Sequence, residues 1–124
     1  MSMSMSMSGV RSLEKMLMLV GEQIEIDCFS GEERSVAEDI RMISAEIYLL
    51  PEGASVRIDG ADIPCGLVAQ VYSHLDGTHV RGVTERFLLI DYPIRHKKAY
   101  LRTALYNRVF EQESAEANDF HSSL

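Results

Sequence analysis

The chain has 124 residues, 46% of them hydrophobic and 25% charged, with a formal net charge of -7. That is enough apolar side chain for one core and too little for several. Two cysteines, Cys28 and Cys65, exclude a disulfide framework and a paired-cysteine zinc site, and they read as buried, inert thiols of a protein kept in the reducing cytoplasm. No apolar run reaches the length of a membrane span, and the N-terminus lacks the basic, apolar and cleavage segments of a signal peptide.

Residues 1–9 open with a Met-Ser alternation that has neither charge nor a helical hydrophobic period, and they read as an expression-tag leader outside the fold. Residues 10–112 read as a single helical domain. Its first helix is predicted from Leu13, Met16, Leu17, Val20 and Ile24 at helical spacing, ending near Asp27. Ser30-Gly31 breaks the pattern, and a second helix carries Val36, Ile40, Ile43 and Ile47 on one stripe until Pro51-Glu52-Gly53 stops it. The period then changes to two, with Val56 and Ile58 alternating with Arg57, and Asp59-Gly60 predicts a two-residue hairpin turn. Pro64 suits the first position of a short helix carrying Leu67, Val68, Val71, Tyr72 and Leu75. Asp76 or Thr78 can cap the next helix, which carries Val80, Val83, Phe87 and Leu88 and ends before Asp91-Tyr92-Pro93. A last helix is predicted from Ile94 or Arg95 to Phe110, followed by a polar, flexible tail over residues 113–124. The expected fold is mainly α: a small bundle of about five helices with one short β-hairpin near residues 55–63.

Charge is unevenly placed. From Arg11 to Asp62 there are twelve acids and five bases, whereas Ile94 to Phe110 holds five bases and no acid. At 100° per residue, Arg95, Lys98 and Arg102 fall on one helix face with Tyr106 beside them, while Leu101, Leu105 and Val109 form the neighbouring apolar stripe. A basic stripe with an aromatic residue meets the requirements for holding phosphates and stacking a base. The same stripe can instead be matched internally by the acids of the first half. Those acids, Glu32, Glu33, Glu38 and Asp39 among them, would repel a nucleic-acid backbone; they read as a solubilising surface or as a docking face for a basic protein.

Nothing in the chain has the pattern of a catalytic or metal centre. His74 and His79 are separated by Asp76-Gly77 and need not share a face, and neither cysteine has a neighbouring base to activate it. His79 reads as a core-edge imidazole bonded to a backbone carbonyl. Asp59-Gly60 lacks the glycine-rich context and the following Lys-Ser/Thr of a phosphate loop.

An ordered set of residues over the second half of the chain resembles the C-terminal domain of RepA-type plasmid replication initiators: Arg57-Ile58-Asp59-Gly60, Ile63-Pro64, Val68, Tyr72, Leu75, His79-Val80, Val83, Ile94-Arg95, Lys98-Ala99-Tyr100-Leu101, Ala104-Leu105-Tyr106-Asn107, Ala115-Glu116 and Asn118. The chain is also distantly similar to the C-terminal domain of the DnaD primosome protein, where a helix carries Tyr, an aliphatic residue and Trp at four-residue spacing. Tyr100 matches that pattern, and Ala104 and Arg108 depart from it. The resemblance implies a cytoplasmic, non-catalytic accessory domain without a cofactor, recruiting a host replication protein such as primase or a helicase loader. Direct binding of single-stranded or duplex DNA through the basic last helix is the alternative, and oligomerisation through Val109 and Phe110 a third.

Overall fold

The computed structural model describes residues 2–122, with side chains from 12 to 111, so the side chains of the leader (1–9) and of the polar tail (113–124) lie outside the described residues. The first helix, α1, spans Ser2–Gln23, starting well before the amphipathic stripe that announces it. It stops at Glu25, whose left-handed backbone (φ 56°) turns the chain into a 3₁₀ turn, Ile26–Cys28. Helix α2 spans Gly31–Tyr48 and buries all four residues of its predicted stripe, Val36, Ile40, Ile43 and Ile47.

Strands β1 (Ser55–Ile58) and β2 (Ala61–Pro64) pair antiparallel, with Ile58 opposite Ala61. Asp59 and Gly60 both have positive φ, 51° and 81°, the geometry that a two-residue hairpin turn demands. β1 turns Val56 and Ile58 inward and leaves Arg57 outside. Helix α3 (Cys65–Tyr72) begins one residue after Pro64, which serves as its cap and ends β2. Helix α4 spans Gly77–Leu88 and α5 spans Lys97–Ser122. The expected small helical bundle with a hairpin is the fold observed.

α2 is the central element, packing against α1, α3, α4 and α5. One core runs through all of them and includes Val20, Ile24, Ile40, Val68, Val80, Leu101 and Leu105. Tyr72 is fully buried in it, and its hydroxyl donates to the Arg102 carbonyl at 2.7 Å, tying α3 to α5. Gln23 closes the opposite end, its amide donating to the carbonyls of Tyr72 (2.9 Å) and Leu75 (2.8 Å). The hairpin tip is held to α5 by the Asp59 amide, which donates to Thr103 Oγ1 at 3.2 Å. Leu67 and Leu88, placed on apolar faces by periodicity, are 46% and 37% exposed. No helix among the described residues is long and apolar enough to cross a membrane.

Candidate functional site: an arginine-lined groove

The basic stripe anticipated on the last helix is divided by the fold. α5 begins at Lys97, so Arg95 lies in the turn before the helix and not on its face. Lys98 points toward α2, where its Nζ is 2.5 Å from Glu46 Oε2, and Lys97 likewise meets Asp39 Oδ2 at 2.5 Å. Tyr106 packs against Phe110 with ring centroids 5.0 Å apart. Of the four, Lys98 lines two smaller hollows against α2, while Arg102 lines a larger concave surface on the outer side of α5.

That surface is a groove of about 730 Å³ bounded by three elements. The hairpin supplies Arg57, Asp59 and Gly60, α4 supplies Gly82, Val83 and Arg86, and the outer face of α5 with the preceding turn supplies the remainder. Leu101, Leu105 and Val109 are buried on one side of α5, and helical geometry turns Ala99, Thr103 and Asn107 to the other, into the groove. Arg102 and Arg108 lie on α5 between these two faces, on opposite flanks of the helix. Arg102 is thus close to the hairpin and Arg108 close to α4.

The charge in the groove is only partly compensated. Four guanidinium groups and His96 line it, against the carboxylates of Asp59 and Glu111. Among the described residues, the other arginines on the α2 side are matched: Arg34 and Arg41 by Glu38 at 3.3 and 3.2 Å, and Arg81 by Glu33 at 3.3 Å. Glu38 Oε1 meets Arg34 by distance but accepts no well-aligned hydrogen bond, so that contact is a loose one. In the groove, Arg57 has only a 3.7 Å contact to the exposed Asp62, a pair that contributes little. Arg86, Arg102 and Arg108 pair with no described carboxylate.

Arg108 is the most constrained of the set. Its guanidinium lies against Gly82, where a Cβ would meet Nη2 at 2.6 Å and Cζ at 2.9 Å, so the missing side chain of Gly82 is what admits it. Its Nε is buried with no hydrogen-bond partner among the described residues. A buried guanidinium donor without an acceptor is costly.

The acidic face behaves differently from its sequence reading. Glu33, Glu38 and Asp39 are occupied by Arg81, by Arg34 and Arg41, and by Lys97, and Glu32 is exposed, with no basic partner among the described residues. Most of that surface therefore serves internal pairing. His79 is buried and structural, but its partner is not a carbonyl: its Nδ1 accepts from the Asp76 amide at 3.2 Å, while Asp76 Oδ1 accepts from the His79 amide at 3.0 Å. Cys65 is buried, its thiol donating to the Pro51 carbonyl at 3.4 Å, whereas Cys28 is exposed, contrary to its expected burial. Val109 is spent in the core, which leaves Phe110, 45% exposed, as what remains of the apolar pair considered for oligomerisation.

Arg57, Arg86 and Arg108 were not distinguishable as site residues by spacing, because they arrive from a strand, from α4 and from the far edge of α5. No curated protein and no solved structure matches the chain. Residues 3–123 match DUF6017, a family of unknown function, and the chain belongs to that family.

Proposed function

We propose that the chain is a non-catalytic accessory domain of the replication-initiator type, and that it contacts nucleic acid through the arginine groove. The observation that carries this reading is the gathering of Arg57, Arg86, Arg102 and Arg108 around one concavity in a protein whose net charge is -7. Arg86, Arg102 and Arg108, which pair with no described carboxylate, have phosphate as their natural ligand. The rest of the surface, being acidic, disfavours non-specific adhesion and confines the contact to the groove.

Fluorescence anisotropy with labelled DNA, titrated at several salt concentrations, tests it. Binding is expected to weaken steeply with salt, and Arg86→Ala/Arg102→Ala to lower the salt slope by about two. Lys98→Ala is expected to bind as wild type, because Lys98 is turned to Glu46 on the side away from the groove. Absence of binding at low salt would remove the reading.

Recruitment of a host replication protein is the second reading, and a separate observation favours it. Leu89 and Tyr92, in the turn between α4 and α5, are 82% and 66% exposed. Beside them is a hollow of about 210 Å³ lined by Phe87, Leu88, Ile90, Tyr92, Ile94 and Lys97. An exposed apolar ledge of this kind fits a protein surface better than a nucleic acid. Primase and the helicase loader are the partners to try there.

A further inference from the structure

We infer that the groove selects single-stranded over duplex nucleic acid, seating an unstacked base against Ala99, Tyr100 and Ala104 while the arginines at its edges hold the flanking phosphates. This rests on the nucleic-acid reading above and adds to it the form of the ligand.

The volume is the first reason. About 730 Å³ lies within the ~300–1,000 Å³ of pockets that enclose a small ligand, so the groove has the scale of a nucleotide and not of a double helix. The lining is the second. Ala99, Tyr100, Ala104 and Val83 give the groove an apolar stretch, and the small side chains keep it open. A duplex presents phosphates outward and keeps its base faces stacked, so such a stretch would contribute nothing to binding it. A single strand offers exactly those faces, and stacking on aromatic or apolar side chains is how sequence-tolerant strand binders gain affinity.

The placement of charge is the third. Arg102 and Arg108 are six residues apart on α5, ~9 Å along its axis, and lie on opposite sides of the groove face. Phosphates on either side of a seated base can each meet a guanidinium there, that of Arg108 being held against Gly82. Asp59 lines the hairpin side of the groove and Glu111 lies further along α5, while Glu85 and Asp91 are exposed near the C-terminal end of α4. A duplex wider than the groove would lay its phosphates on Glu85 and Asp91 outside it, which a thin, flexible strand avoids, whereas Asp59 and Glu111 face either form.

The test compares a fluorescein-labelled oligo-dT strand with the oligo-dA/oligo-dT duplex of the same length, against wild type and Ala99→Leu/Asn107→Leu. Both substituted residues are exposed, so the variant fills the groove without touching the core, and circular dichroism checks its fold. The strand is expected to bind about tenfold or more tighter than the duplex, the worth of roughly one stacked base, and the filled groove to lose that preference. Equal or tighter duplex binding would overturn the inference and leave the groove a nucleic-acid site. A strand preference that survives in the filled variant would place the base elsewhere and overturn it as well. If neither form binds wild type at low salt, the nucleic-acid reading itself fails.

Discussion

Asp76 and His79 close the first turn of α4 on each other, the carboxylate taking the His79 amide and the imidazole taking the Asp76 amide. This is a capping box in which His occupies the place that Glu or Gln usually holds. Nδ1 is also 3.0 Å from Asp76 Oδ1; the neutral ring accepts the amide, and a protonated ring would turn the same nitrogen into a donor to the carboxylate. Asp76→Ala is expected to cost about 1 kcal/mol in urea denaturation. His79→Gln, which can reach back to the same amide, is expected to cost less than His79→Ala; equal losses would mean that the imidazole acts by packing alone. The Asp76 cap is legible in the sequence because Asp precedes an apolar-periodic run. The role of His79 is not, since nothing local says that a histidine three residues on will bend back to the cap.

At the scale of elements, α5 shows how far periodicity carries. The spacing of Leu101, Leu105 and Val109 identifies the buried stripe correctly, and the stripe fixes which residues remain outside. What it leaves open is which neighbour each outer edge meets. Lys97 and Lys98 flank Leu101 in the first turns of α5, where α2 packs, and meet the acids of α2, whereas Arg108, three turns beyond Lys97 on the same edge, meets α4 at Gly82. These are pairings between residues tens of positions apart, and only the assembled bundle determines them. Gly82→Ala separates the two levels. Alanine is the better helix former by about 1 kcal/mol, and the atoms its Cβ would meet belong to the movable end of Arg108. Thermal denaturation is therefore expected to show no loss of stability, while DNA affinity falls as the guanidinium is displaced from its seat. A variant that binds as wild type would show that the position of Arg108 does not matter.

Across the whole molecule, the same core that positions the groove depends on one buried phenol. Tyr72 is enclosed between α3 and α5, and its hydroxyl holds the backbone of Arg102, a groove residue, from beneath. Burial pushes its pKa well above the ordinary 10.0, and the nearby Arg102 charge offsets only part of that rise. Tyr48 shifts the same way by burial, partly offset by its hydrogen bond with Gln23. In the unfolded chain both phenols ionise near pH 10, and in the native state they resist, so the unfolded state sheds protons first and stability falls as pH rises past that point. Below it both states are neutral and the stabilisation is intact. Tyr72→Phe removes one titrating group and one hydrogen bond: it is expected to be about 1 kcal/mol less stable than wild type at neutral pH. The gap should narrow above pH 10, because only wild type carries the Tyr72 proton. The wild-type-minus-variant difference in urea midpoint, followed from neutral pH to beyond 10, isolates Tyr72 from lysine titration and from Tyr48, which both proteins share. A gap that stays constant through this range would mean that Tyr72 ionises in the native protein as readily as in the unfolded chain, and that the α3–α5 junction beneath the groove is open to solvent.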